Sequence, residues 1–384
     1  MACTPGCPLP FAPQFPFFTL ARPIMKMLKS LPVWPLAAPI AGWLFLFGST
    51  FNLGGAYQIL LVAGLIGSVL AAVYHAEVVA HRIGEPYGTL VLALAVTLIE
   101  VALIVSLMLA GGPETTGLAR DTVFAAIMII LNGIVGICLL LGAGRHREQT
   151  FGLLGVSASL ATLAAIAVLT LVLPNYTSSA AGPFYNSSQL IFIAVISLVL
   201  YGTFVLVQTV RHRDYFLPKE AVGDEEVHAA PPTPTVAWVS AGALLVCLGA
   251  VVLLAKSLAP ALETAIAAMG APKTLVGIVI AAIVLLPEGL AAVRAARANR
   301  LQTSLNLALG SALASIGLTI PAVVVVSLAT GLTITLGLDI KSTVLLLLSL
   351  MVATLSLGTG RTTVMQGTVH LVIFAVYLFT TIVP

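Results

Sequence analysis

The sequence predicts an all-α polytopic membrane protein with about eleven transmembrane helices, and three observations support this fold class. The 384-residue chain is 59% hydrophobic and only 8% charged, with a mean hydropathy of +1.11, whereas a soluble domain carries roughly a quarter charged residues. Apolar runs of about 20 residues, long enough to cross a bilayer, recur from end to end. No loop is long enough to form a separate soluble domain, so we expect nearly all of the protein to lie in the membrane.

The apolar runs and the polar residues between them define the spans. A first span is followed by two groups of five, which the charged and Pro-rich segment RHRDYFLPKEAVGDEEVHAAPPTPT (211–235) separates. The predicted spans are 34–51, 57–82, 87–111, 121–143, 151–173, 188–210, 236–256, 273–296, 303–330, 340–358 and 363–383.

This order predicts one N-terminal helix and two five-helix halves. The first helix occupies 31–56, the first half 57–210 and the second half 236–384. Residues 1–30 are uncharged over most of their length and rich in Pro and Phe, so we expect a disordered tail. The alternative is a start codon downstream, within this tail, and we expect no cleavable signal peptide because further spans follow.

Basic residues predict the orientation of the chain, because cytoplasmic loops of membrane proteins carry an excess of Lys and Arg. If the N-terminus is cytoplasmic, thirteen of the 17 Lys and Arg residues lie on the cytoplasmic side. Eleven spans then place the C-terminus outside, and the segment 211–235 faces the cytoplasm. The basic residues left on the outer side are Arg120, Lys256, Lys273 and Lys341.

Two spans each contain one glutamate in otherwise apolar sequence. LALAVTLIEVALIVSLML (92–109) contains Glu100, and IAAIVLLPEGLAAV (280–293) contains Glu288. A charge at the centre of a membrane helix costs a few kcal/mol on insertion scales. A purely structural role is the less favoured alternative, because glutamine could form the same hydrogen bonds without that cost. We therefore interpret both glutamates as functional.

The two glutamates occupy equivalent positions of an internal repeat. LALAVTLIE (92–100) and IAAIVLLPE (280–288) share four of nine residues, including the glutamate. The next spans align more weakly, pairing NGIVGICL, which begins at Asn132, with SALASIGL, which begins at Ser311. Five helices per half invert the second half relative to the first, so both glutamates lie roughly 20 Å deep from opposite faces. Inverted repeats with a shared midplane site are the architecture of secondary transporters.

Candidate cation ligands surround the second glutamate in sequence. Pro287 and Gly289 flank Glu288, and we expect this Pro-Glu-Gly step to break the helix and free backbone carbonyl oxygens. Together with Asn132 and Ser311, such groups form a hard-oxygen site that suits Ca²⁺ or another hard cation better than Zn²⁺ or Cu²⁺. We expect transported cations and protons as ligands and no resident cofactor.

Three further polar residues lie near the cytoplasmic end of the second span. They are His75, Glu77 and His81. Because histidine titrates near neutral pH, these residues could relay protons or form a gate. A hydrogen-bonded interfacial cluster is the alternative. His370 in the last span is interpreted as a histidine packed at a helix contact.

Two other classes of protein fit the sequence less well. An intramembrane aspartyl protease needs two aspartates within spans, but all four Asp residues lie at span edges or in loops. The metalloprotease motif His-Glu-x-x-His is absent. A channel is harder to exclude, but it would not need titratable groups in both inverted halves. We therefore expect a transporter and not an enzyme.

At the glutamate-bearing segments the chain resembles a known family. GEPYGTLVLALAVTLIEVALI (84–104) and LLPEGLAAVRAARANRLQTSLNLALGSALASIGLTIP (285–321) are similar to the two repeats of the Ca²⁺:cation antiporter (CaCA) superfamily. Within it they resemble bacterial calcium/proton antiporters of the ChaA type, which are related to the CAX exchangers. CAX repeats usually have Gly-Asn-Ala before the glutamate, where this chain has AVTLIE and VLLPE, so the transported cation stays open.

The resemblance implies a sodium/calcium exchanger-like fold and exchange of cytoplasmic Ca²⁺ for protons, with Na⁺/H⁺ or K⁺/H⁺ exchange as the alternative. It implies a bacterial inner-membrane location, lipid and inorganic cations as partners, and no nucleic acid; a homo-oligomer is a further candidate. It also implies a central acidic segment that gathers or senses Ca²⁺, with a plain solvated linker as the alternative. The implied ion ligands are Glu100, Glu288, Asn132, Ser311 and Ser315, and the acidic segment contains Glu220, Asp224, Glu225 and Glu226.

Overall fold

The computed structural model describes residues 32–51, 54–84, 87–217, 232–270, 272 and 274–383. Within this part of the chain, eleven helices are long and apolar enough to cross a membrane, which confirms the predicted all-α polytopic fold class. The predicted tail and the acidic residues of the central segment lie outside the described residues, so their roles stay predictions. These acidic residues are Glu220, Asp224, Glu225 and Glu226.

The helices follow the apolar runs closely, and all but one end within a few residues of the predicted bounds. Two strands of two residues each, β1 (Gln149–Thr150) and β2 (Arg361–Thr362), pair antiparallel. The helices are α1 (Trp34–Gly48), α2 (Tyr57–Ile83), α3 (Tyr87–Gly111), α4 (Leu118–His146), α5 (Leu153–Tyr176), α6 (Ser187–Arg211), α7 (Pro234–Ala268), α8 (Thr274–Arg297), α9 (Leu301–Thr330), α10 (Ile340–Leu357) and α11 (Val364–Ile382).

Helix α7 is the exception, because it continues to Ala268 and not to the predicted end at Lys256. Pro260 lies inside the helix without ending it, although a proline in a helix interior removes a backbone hydrogen bond. Beyond it, the buried Ile266 packs in the same apolar cluster as Val276 of α8. This packing offsets the missing hydrogen bond, and it could not be read from the local sequence.

The helix break predicted at Pro287 and Gly289 is wrong. Helix α8 is continuous through the Pro-Glu-Gly step, with both residues buried. A Cβ atom at Gly289 would lie 3.2 Å from Cδ1 of Ile134, so α4 packs directly against the backbone of α8 here. In a membrane span, such packing by neighbouring helices allows the chain to tolerate a proline without unwinding.

One end of the bundle gathers the loops that follow α4, α6, α8 and α10. The β1–β2 pair joins the first and last of these loops. The side-chain amide of Gln149 donates to the carbonyl of Ala296 (2.9 Å), and that of Asn306 donates to the carbonyl of Phe216 (2.6 Å). We call this the arginine-rich end, because it includes Arg82, Arg145, Arg147, Arg211, Arg213, Arg294, Arg297, Arg300 and Arg361.

The opposite end gathers the loops that follow α3, α5 and α9. The amide of Thr335 donates to the carbonyl of Thr116 (2.9 Å), and the amide of Leu338 donates to the carbonyl of Leu171 (2.8 Å). Successive helices therefore run in alternating directions, as a chain that crosses a membrane repeatedly must do. That the arginine-rich end faces the cytoplasm stays a prediction from the distribution of basic residues.

Helices α4 and α9 form the centre of the bundle, and α3 and α8 pack against them. In the most apolar windows of α4 and α9, 83% and 67% of residues are buried, against 17% for the peripheral α1. The contacts repeat when the halves are exchanged: α3 packs on α9 as α8 packs on α4, and α9 packs on α6 as α4 packs on α11. This arrangement is expected of two related halves, and it brings the glutamate-bearing α3 and α8 together at the core.

Candidate cation-binding site

Both intramembrane glutamates are held by the same helix, α9. The hydroxyl of Ser315 donates to Oε1 of Glu100 (2.5 Å), and the hydroxyl of Ser311 donates to Oε2 of Glu288. The two serines are four residues apart, so they lie on one face of α9 about one helical turn from each other. Helix α9 thus presents two adjacent hydroxyls, and each of them holds the carboxylate of a different half.

The two carboxylates differ in their access to water. Glu100 is 5% exposed, and its partner Ser315 is 1% exposed. Glu288 is half-buried and lines a cavity of about 320 Å³. Val96, one turn before Glu100 on α3, also lines this cavity, whereas Glu100 does not. The site therefore has one carboxylate reachable from the cavity and one enclosed by packing.

The cavity extends from the arginine-rich end towards the centre of the bundle. It is lined by Arg213 and Leu217 beyond the end of α6, by Thr303 near the start of α9, and by Ser311 deeper on α9. From Thr303 to Ser311 the helix rises roughly 12 Å at 1.5 Å per residue. The cavity therefore connects the arginine-rich end with Glu288.

The atoms that could coordinate a cation at this site are oxygens. Two carboxylates and two hydroxyls can bind a hard cation, or the carboxylates can bind protons instead. Among the described residues no group of three or more His, Cys, Asp or Glu side chains could hold a metal ion.

The hydrogen bonds of the Asn132 side chain go to residues other than the glutamates. A π-helical turn at Ile129–Ile134 of α4 contains Asn132, whose amide nitrogen donates to the hydroxyl of Ser349 (2.8 Å). Its oxygen pairs with Nδ1 of His370 (3.2 Å), and Nε2 of His370 pairs with the hydroxyl of Ser356 (2.8 Å). The Asn132 amide is therefore engaged by α10 and α11, and its role as an ion ligand stays a prediction.

Replacing His370 with leucine should cost stability. The change leaves the buried oxygen of Asn132 without its ring donor, and an unsatisfied buried polar group costs about 1–3 kcal/mol. We expect a lower unfolding temperature in detergent, measured by thermal denaturation. The matched control is Val369→Leu on the lipid-facing side of α11, where Val369 is 38% exposed. Equal unfolding temperatures for both variants would contradict the hydrogen-bonded cluster.

The three polar residues of α2 do not form one cluster. His75 is fully buried, and its Nε2 pairs with the carbonyl of Pro35 (3.2 Å), so this side chain holds α1 against α2. Glu77 lines the cavity that leads to Glu288. His81 is exposed near the end of α2. The structure therefore separates His75 from Glu77, and only Glu77 shares the cavity with the candidate site.

Sequence analysis gave no functional role to several polar residues that line the cavity. Gln208 and Thr209 come from α6, whereas Thr303 and Asn306 come from α9. They lie near helix ends, where polar residues are common, and no spacing in the sequence links them. Only the packing of α6 beside α9 shows that they face the same space.

Removing either serine hydroxyl should weaken cation binding. In Ser315→Ala or Ser311→Ala the carboxylate loses a donor that favours its ionised form, and a hydrogen bond to a charged group is worth about 1.5–3 kcal/mol. We expect the apparent KM for the cation to rise about tenfold in a transport assay. The control is Ser327→Ala on the same helix, whose hydroxyl donates to the carbonyl of Leu332 far from the glutamates. A KM that matches this control in both variants would contradict the assigned bonds.

Comparison with known proteins gives one family and several similar chains. A family model described as "Sodium/calcium exchanger protein" matches residues 54–210 and 239–383. A putative ionic transporter, y4hA of Sinorhizobium fredii (strain NBRC 101917 / NGR234), is 52% identical over 329 residues, covering 85% of this chain and 89% of y4hA. The sodium-potassium/proton antiporter ChaA of Escherichia coli (strain K12) is 37% identical over 353 residues, covering 91% of this chain and 94% of ChaA. The crystal structure of the H⁺/Ca²⁺ exchanger CAX is similar in fold, with a TM-score of 0.68 at 15% identity over 90% of this chain and 87% of that chain.

Proposed function

The chain belongs to the sodium/calcium exchanger protein family and is a polytopic membrane cation antiporter, and from this premise we propose that it exchanges cytoplasmic Ca²⁺ for protons. The observation that carries the proposal is the pairing of Glu100 and Glu288 with neighbouring hydroxyls of α9. This geometry gives two carboxylates from opposite halves a common binding surface. The protein is therefore proposed to act as a transporter and not as an enzyme.

Competition between cations and protons would couple the two fluxes. A carboxyl group shielded from water favours its neutral, protonated form, and a second carboxylate nearby strengthens that preference. A cation that binds the ionised pair must displace the protons, so both ligands use the same oxygens. We propose that the helix bundle switches between inward-open and outward-open forms only when the negative charge of the site is neutralised. Each cation then crosses the membrane in exchange for protons. The proton gradient then drives the cation out of the cytoplasm.

Charge matching favours Ca²⁺ as the transported ion. One divalent cation neutralises two carboxylates, and Ca²⁺ prefers oxygen ligands. Na⁺ or K⁺ is the second candidate, because the relative ChaA, 37% identical, is a sodium-potassium/proton antiporter. Two monovalent cations, or one together with a proton, would neutralise the same pair.

The orientation of the chain in the membrane decides to which side the cavity opens. We propose a bacterial inner-membrane protein with the arginine-rich end in the cytoplasm, because basic residues concentrate there. The cavity that reaches Glu288 from this end is then a cytoplasmic access path. With this orientation, the conformation of the bundle is an inward-facing state of the proposed alternating-access cycle.

Proteoliposomes with an acidic lumen and an enclosed pH-sensitive dye test this proposal. Ca²⁺, Na⁺ or K⁺ is added outside, and vesicles without protein report the leak. We expect Ca²⁺ to dissipate the gradient at rates well above the leak. A response to Na⁺ or K⁺ but not to Ca²⁺ would overturn the choice of cation and support the second candidate. No response to any of the three would overturn proton-coupled exchange.

A further inference from the structure

The cavity that leads to Glu288 contains a second carboxylate that the proposed exchange site does not use. Among the described residues that line it, Glu77 and Glu288 carry the carboxyl groups. Glu77 lies six residues before the end of α2 at Ile83, roughly 9 Å below the arginine-rich end. Glu288 lies nine residues before the end of α8 at Arg297, roughly 14 Å below it. Their depths differ by about one helical turn.

Among the described residues, arginines also lie around this cavity. Arg213 lines it from beyond α6, and Arg294 of α8 interacts electrostatically with Glu77. Positive charges at the opening of a cleft lower the local concentration of cations, and a cleft with low-dielectric walls focuses that field. A negative charge on this path favours a cation that enters there. Glu77 supplies one at this position.

Oxygen-bearing side chains line the same cavity as the two carboxylates. Gln208 and Thr209 come from α6, and Thr303 and Asn306 come from α9. The hydroxyl of Thr209 donates to the carbonyl of Val205 (2.7 Å), which leaves its lone pairs available to a cation. Oxygens of this kind are the ligands that hard cations prefer.

We propose that Glu77 is an outer cation-binding position, which takes up the transported hard cation at the arginine-rich end and passes it to Glu288. This inference rests on the proposed function, because it concerns the same ion and the same path. Glu77 binds the ion only on its way to Glu288. Its role is therefore to capture the cation and not to couple the cation flux to the proton flux. The expected signature is a change in apparent KM with little change in maximal rate.

The first test compares Glu77→Gln with Glu148→Gln in proteoliposomes at low ionic strength. Both changes remove one negative charge at the arginine-rich end, but Glu148 is exposed and pairs with Arg361 (3.6 Å) away from the cavity. We expect the apparent KM for the cation to rise roughly tenfold in Glu77→Gln, with maximal rates within about twofold of wild type. Glu148→Gln should match wild type. Equal KM values for the two variants would overturn the proposal.

A charge-rescue experiment separates binding from a structural role. Glu77→Cys is made in a chain whose four cysteines, Cys3, Cys7, Cys138 and Cys247, are replaced by alanine. A sulfonatoethyl thiosulfonate restores a negative charge at this position, whereas a trimethylammonium thiosulfonate adds a positive one. We expect the first reagent to lower the KM towards wild type and the second to raise it. The same effect from both reagents, or no modification at all, would overturn the assignment.

The outcomes distinguish this inference from the proposed function. If no cation dissipates the gradient with the wild-type protein, the proposed exchange itself fails. If wild type exchanges cations and Glu77→Gln keeps the wild-type KM, the exchange stands and only the outer binding position fails.

Discussion

Exchange should be lost when either Glu100 or Glu288 is replaced by glutamine. Glutamine keeps the size of the side chain and can still accept from Ser315 or Ser311, but it carries neither a negative charge nor an exchangeable proton. We expect the cation-dependent proton flux to fall at least about 100-fold, which corresponds to about 3 kcal/mol in the free energy of the limiting step. The dye assay in proteoliposomes measures it directly.

The controls for this prediction separate loss of the site from loss of the fold. Glu148→Gln, an exposed change at the arginine-rich end, should exchange like wild type. Both site variants should elute as monodisperse proteins with unfolding temperatures at or above that of wild type, because the change removes an ionisable group from the interior of the membrane. Normal exchange by either variant would contradict a site that needs both carboxylates.

Filling the cavity should have the second largest effect. Gly310 lines the cavity on α9, and apart from its own stretch of helix no atom lies within 4 Å of the position that its Cβ would occupy. The side chain of Gly310→Trp can therefore leave the helix on the cavity side without its Cβ meeting packed atoms. Because tryptophan has the largest side chain, we expect it to block the path to Glu288 and to lower exchange more than about tenfold.

The matched control is Gly202→Trp. Gly202 lies on α6, is exposed on the lipid-facing side, and also has open space around its Cβ position. We expect this variant to exchange at the wild-type rate, since the same side chain then points away from the cavity. Wild-type exchange by Gly310→Trp would show that the cavity is not the access path.

The spans could be predicted because the membrane imposes a simple rule on sequence. A helix that crosses the bilayer needs an apolar run of about 20 residues, and polar residues mark its ends. The rule failed at α7, where Lys256 and Pro260 look like an end but the packing of Ile266 continues the helix. It failed again at Pro287, where contact with α4 holds α8 continuous. Both errors come from tertiary packing that local sequence does not contain.

The candidate site was predictable in part. Two glutamates at matching repeat positions and the odd number of helices per half predict that the two carboxylates approach each other, and in the structure both are held by α9. Their depth in the membrane stays a prediction. The resemblance implied Ser311 and Ser315 as ligands, but which hydroxyl holds which carboxylate could not be predicted. The pairing depends on the rotation of α9, which sets Ser311 against Glu288 and Ser315 against Glu100. The bond between Asn132 and His370 joins residues 238 positions apart, so no local pattern could reveal it.

Proton release on cation binding tests the central claim most directly. Purified protein in a weakly buffered detergent solution near neutral pH is titrated with Ca²⁺, Na⁺ or K⁺ while a pH dye reports free protons. If cations and protons compete for the pair of Glu100 and Glu288, the transported cation should release protons in wild type and none in the double variant Glu100→Gln/Glu288→Gln. Saturable cation binding without proton release in the wild-type protein would contradict the account.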